Sequence, residues 1–84
     1  MQPFIVNWLP SAINELAMIW ITAADRGAVN RAANEIDRLL RTKWQTIGAP
    51  AEANFVFIVP PLKVTYRVSP DDCTVWVLAI AREP

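Results

Sequence analysis

The spacing of apolar residues changes twice along this chain, and those changes dictate what it can fold into. Pro3–Leu9, PFIVNWL, is short and rich in β-formers, so it reads as a first strand. In SAINELAMIWITAAD the apolar residues Ile13, Leu16, Ala17, Trp20 and Ala24 recur at helical spacing. Pro10 and Ser11 supply the start signals, and Asn14 and Glu15 fall on the wet side. Asp25 then stands where a helix N-cap belongs, and Val29, Ala32, Ala33, Ile36 and Leu40 repeat the stripe. Arg31 with Glu35, and Asp37 with Arg41, sit four residues apart on the outside of this second helix. So short a connection predicts an antiparallel pair of helices.

Lys43–Ala53, KWQTIGAPAEA, has no period and contains Gly48 and Pro50, so it is expected to be the main loop. NFVFIV, Asn54–Val59, is an unbroken apolar run, which suits an interior strand covered on both faces. Pro60 and Pro61 turn the chain into PPLKVTYRVSPDD, where the period is two: Leu62, Val64, Tyr66 and Val68 point one way, Lys63, Thr65 and Arg67 the other. Ser69–Asp72 makes a second turn before the last strand, TVWVLAIAR. The element order is therefore β-α-α-β-β-β. It predicts one α+β domain over residues 1–84, with a helical hairpin packed on one face of a mainly antiparallel sheet.

Which residues lie on the uncovered face follows from parity. In the last strand Trp76, Leu78 and Ile80 form a bulky face, expected under the helices, while Val75, Val77, Ala79 and Ala81 form a small face left open. Of the 84 residues 54% are hydrophobic, and the mean hydropathy of +0.23 exceeds what so small a core needs. The excess predicts that the open face meets a partner, or that the chain self-associates as a homodimer. Lys63, Arg67 and Arg82 are expected to form one basic rim beside Val75, Val77 and Ala79, suited to an acidic amphipathic segment. Trp44, in the loop, either caps the sheet or anchors that partner.

Several chemistries are excluded. Eight basic residues balance eight acidic ones, so the chain lacks the basic excess of a free-standing nucleic-acid binder. With no His and one Cys there is neither a zinc site of the usual ligands nor a Ser/His or Cys/His pair, and two glycines cannot build a phosphate-binding loop. No cofactor is expected. The opening MQPFIVNWLPS resembles no signal peptide and no run is long enough to span a membrane, which predicts a cytosolic protein.

Taken in order, SAINELAMIW, AANEIDRLL, PLKVTYRV, the acidic turn SPDD and VWVLAIAR resemble the RelE/ParE toxins of bacterial type II toxin-antitoxin systems, often labelled plasmid stabilisation proteins. The resemblance spans nearly the whole chain. It implies a sheet cradle backed by paired helices, whose open face works on a target or is held by an antitoxin. The messenger-RNA-cleaving members carry lysines on the strand that corresponds to NFVFIV, an arginine near the start of the next strand, a basic residue ending the last strand, and a tyrosine in a C-terminal tail. Here NFVFIV has no cation, Lys63 stands in place of the arginine, Arg82 in place of the terminal basic residue, and no residue matches the tail tyrosine. A reduced cleavage site would have to be built from Lys63, Arg67, Arg82 and Tyr66. Tyr66 shares the parity of Leu62, Val64 and Val68, so its ring belongs to the apolar face with its hydroxyl at a rim. Three functions are compatible with the resemblance: binding to an antitoxin and to a cellular target such as gyrase, ribosome-dependent RNA cleavage, or a scaffold kept only for protein binding. Neutral charge disfavours nucleic acid and the ribosome, and favours the first.

Overall fold

The computed structural model describes residues 4–51 and 53–83. Strand β1 (Ile5–Trp8) leads into helices α1 (Pro10–Thr22) and α2 (Arg26–Thr42), then a single helical turn α3 (Trp44–Ile47). Strands β2 (Ala49–Ala51), β3 (Asn54–Val59), β4 (Leu62–Ser69) and β5 (Thr74–Arg82) complete the chain, with a short 3-10 turn at Pro70–Asp72 and a cis Pro60–Pro61 bond between β3 and β4. The sheet order is β1-β5-β4-β3-β2, with β1 parallel to β5 and every other pair antiparallel. The architecture is α+β as expected from the sequence, with two additions. The stretch expected to be loop holds α3 and β2, elements too short to show a hydrophobic period. Pro50 fits β2 because an edge strand has one side on which a missing donor goes unnoticed.

Helix α2 carries the core. Val29, Ala32, Ile36 and Leu40 are buried along one stripe and meet Val6, Phe57, Leu62, Val64, Tyr66, Val75, Val77 and Ile80 of the sheet. On its outside Arg41 donates to Asp37 at 2.8 Å, whereas Glu35 pairs with Arg38 rather than Arg31. Trp8 of β1 donates its indole N–H to the same Asp37 at 3.4 Å. Asp25 precedes α2 but makes no capping bond, because its carboxylate is held elsewhere.

Helix α1 departs from the sequence reading. Ala12 is buried, with Leu16, Ile19 and Ala23 half-buried against the core, while Ile13, Ala17, Trp20 and Ala24 face outward. The helix is apolar nearly all round, so spacing alone did not single out the inner stripe. Glu15 is exposed, as its place on the wet side predicts, and its carboxylate also reaches the sheet edge, where it accepts the Ile80 N–H at 3.0 Å. The reason is that β1 pairs with β5 only as far as Val77, so an edge N–H beyond it needs another acceptor.

The last strand departs too, through one inserted residue. Tyr66 stands opposite Val77 and Thr65 opposite Ala79, which leaves Leu78 as a bulge. Before the bulge the odd-numbered residues face the helices; after it the even-numbered ones do. Val75 and Val77 are therefore wholly buried in the core instead of lining the open face, and Trp76 lies outside the core instead of under the helices. Strand β3 is interior in the sheet order, but only Phe57 of it is buried, and Ile58 remains 53% exposed. One face of the sheet is thus left uncovered.

Candidate functional site

Alternation on the central strand β4 sends Lys63, Thr65 and Arg67 to the uncovered face. Ile58 of β3 and Ala81 of β5 flank Lys63, Val56 and Ala79 flank Thr65, and Trp76 stands across from Arg67 with Asn7 of β1 beyond it. The result is two exposed cations interleaved with aliphatic and indole surface. Four residues at about 3.3 Å each put the cations about 13 Å apart along the strand, the spacing of two groups on a partner and too wide for one phosphate. Among the described residues neither cation has an ion-pair partner. Both charges are available to something outside the chain.

Other residues singled out from the sequence lie elsewhere. Arg82 has the parity of Leu62 and Ile80, so it points to the helix side and donates to Asp25 Oδ2 at 2.8 Å. That hydrogen bond holds the Asp25 carboxyl below its usual range and raises the Arg82 guanidinium. A single basic rim of Lys63, Arg67 and Arg82 does not form, because Arg82 is on the opposite face and already paired. Tyr66 is wholly buried, stacked on Phe55 at 5.5 Å between ring centres and edge-on to Phe57 at 5.7 Å. Its hydroxyl donates to the Trp44 carbonyl at 2.9 Å instead of reaching a rim, and burial pushes the phenol above its ordinary pKa. Tyr66 is a core residue, with no access to a substrate.

Trp44 neither caps the open face nor stands free as an anchor. It is half-buried against the core, with its ring 5.1 Å from that of Phe4. Ala79 does lie on the open face, half-buried opposite Thr65. The sequence reading missed Trp76 as a surface residue and left the outward face of β3 open between Val56 with Ile58 and Phe55 with Phe57 and Val59. Ile58 was within reach, since strict alternation from Phe57 exposes it; Trp76 was not, because nothing in TVWVLAIAR marks the bulge.

The chemistry this face offers is limited. Residues of β1, β3, β4 and β5 that point to it include no carboxylate, imidazole or phenol. Cleaving RNA without a metal requires a group to take the 2′-hydroxyl proton and another to protonate the leaving oxygen. Lys63 and Arg67 supply charge for such a step, and no carboxylate, imidazole or phenol stands beside them on these strands. What the arrangement can do is hold a partner that is both apolar and acidic.

No protein-family model and no curated protein matches the sequence. Solved structures do match the fold. The RelBE2 toxin-antitoxin complex from Mycobacterium tuberculosis aligns with a TM-score of 0.79 at 19% identity, over 96% of this chain and 99% of that one. A chromosomal ParDE toxin-antitoxin system from P. aeruginosa aligns at 0.72 and 17% identity, over 96% and 97%. The YoeB/ParE toxin from Agrobacterium tumefaciens aligns at 0.66 and 17% identity, over 95% and 99%. Each alignment covers 95% or more of this chain, and the chain has the fold of the RelE and ParE toxins.

Proposed function

We propose that this chain is the toxin-fold member of a type II toxin-antitoxin pair and that it acts by binding proteins through the open face of its sheet. The observation that carries the reading is that face itself: Lys63 and Arg67, exposed and without an ion-pair partner among the described residues, set among Ile58, Trp76, Ala79 and Ala81. An acidic amphipathic segment of an antitoxin would lay its apolar residues on the aliphatic and indole surface and its carboxylates on the two cations. The RelBE2 and ParDE structures, each a toxin-antitoxin assembly, support this type of partner. A cellular target such as gyrase would use the same face, so that antitoxin and target exclude one another. RNA cleavage is the weaker reading, since the face lacks a base and the arginine expected at the strand end is tied to Asp25.

Charge at such a site governs encounter more than residence. Reversing both cations, Lys63→Glu with Arg67→Glu, is expected to slow association with an acidic amphipathic peptide of the antitoxin type about tenfold or more. It should also weaken the salt dependence, with a smaller change in dissociation. Stopped-flow measurement of both rates checks this. Unchanged association by the double variant, or loss of message cleavage by Lys63→Ala with partner affinity intact, would overturn the binding reading.

A further inference from the structure

Helix α1 presents a second uncovered apolar surface, separate from the sheet face. Its inner stripe is Ala12, Leu16 and Ile19, and at 100° per residue the neighbouring arc is Ile13, Ala17, Trp20 and Ile21. Ile13 is 52% exposed, Trp20 39% and Ile21 58%, and together with Leu16, Ala17 and Asn30 they line a shallow groove beside α2. A contiguous apolar arc of this kind on a small domain marks a contact surface.

We propose that this arc is a dimerisation surface for a second copy of the chain, the two α1 helices lying antiparallel about a twofold axis at Ala17. The proposal does not depend on the toxin-antitoxin reading.

Charge decides against a charged occupant. Glu15 is the one charged residue of α1, and its carboxylate is held by the Ile80 N–H on another side of the helix. The nearest cation, Arg26, is folded back: it donates to the Trp20 and Ile21 carbonyls at 3.0 and 2.9 Å and lies 4.6 Å over the Trp20 ring. An acidic segment therefore finds its cations on the sheet face and none free here. A neutral apolar helix, by contrast, meets its own copy without like-charge repulsion.

Spacing then favours the second copy specifically. A twofold interface requires that if residue i touches j, then j touches i. Ile13, Ala17 and Ile21 are four residues apart, so the ridge reads the same from either end. Antiparallel pairing sets Ile13 against Ile21 of the second copy at both ends and alanine on alanine in the middle. Packed helix axes lie roughly 8–10 Å apart, and a small residue at the crossing point permits the near end of that range. Trp20, one turn from Ala17, fills the flank.

Sedimentation equilibrium on the full chain tests the state, and engineered cysteines test the register. The expected result is a dimer, twice the mass of one chain, whose dissociation constant rises at least about tenfold in Ile21→Lys. Position 21 is exposed, so the variant should fold, as circular dichroism would verify. In a Cys73→Ser background, Ala17→Cys should cross-link to itself through a short bifunctional thiol reagent. Ile13→Cys should cross-link to Ile21→Cys in a mixture and not to itself. A chain that stays monomeric at its solubility limit overturns the proposal. So does a dimer that survives Ile21→Lys while the Ala17→Cys variant fails to cross-link, which would place self-association on another face. Protection of position 17 only when an acidic amphipathic peptide of the antitoxin type is added would assign the arc to that partner, and would overturn the proposal equally.

Discussion

Replacing Gly48 with alanine is expected to cost this domain about 3 kcal/mol, toward the upper end for overpacking a filled core. Gly48 has φ −96°, ordinary for any residue, so the backbone is not the obstacle. Space is. A methyl group there would sit 2.0 Å from the Tyr66 hydroxyl, 2.8 Å from the ring carbon that bears it and 3.0 Å from the Phe55 Cβ. Tyr66 cannot swing away, being buried between Phe55 and Phe57 with its hydroxyl fixed on the Trp44 carbonyl. For a domain of this size, whose total stability is of order 4–12 kcal/mol, such a loss is a large share. Chemical denaturation should show a lower midpoint at constant slope. The second substitution Tyr66→Phe, which alone removes a hydrogen bond of about 1 kcal/mol, should be neutral or stabilising beside Gly48→Ala because it removes the nearest atom. A loss under about 1 kcal/mol in Gly48→Ala would show that the hydroxyl is not where the structure puts it.

Tyr66→Ala is expected to be at least as damaging, and Trp76→Ala mild, although parity in the sequence assigns Trp76 to the core. Truncating a buried aromatic costs about 3–5 kcal/mol. Here it also strips the Trp44 carbonyl of its donor and takes the stacked partner from Phe55. Trp76 packs on no part of the core cluster, so its removal should stay within about 1 kcal/mol. Comparing the two variants by denaturation also tests the bulge. Equal losses would mean that Leu78 does not shift the parity of β5.

What the sequence made legible follows from how each element is patterned. Helix α2 has charged residues opposite its apolar stripe, so Val29, Ala32, Ile36 and Leu40 could be placed without a structure, and all four are buried. Strand β4 alternates without fault, and Lys63 and Arg67 emerge as the exposed pair. Helix α1 offers no such contrast, so of the residues its spacing selects Leu16 packs on the core while Ile13, Ala17 and Trp20 face outward. In β5 the error was a matter of counting, since one bulged residue exchanges the two faces and its energetic cause is a backbone adjustment that side-chain types do not announce. Arg82 and Asp25 meet across 57 positions, a juxtaposition that only the folded topology creates. The short α3 and β2 lay below the length at which any period can be read.

The four tryptophans provide the most direct test of where a partner binds, because each indole N–H reports from a different place. Trp76 sits on the open sheet face, Trp20 on the outer arc of α1, Trp8 is bonded to Asp37 and Trp44 packs on Phe4. In a heteronuclear NMR titration of the full chain with an acidic amphipathic peptide of the antitoxin type, the Trp76 indole resonance should move or broaden in step with binding while those of Trp8 and Trp44 hold still. A titration in which Trp76 stays unmoved at saturation, with the change confined to Trp20, would contradict binding through the open face of the sheet.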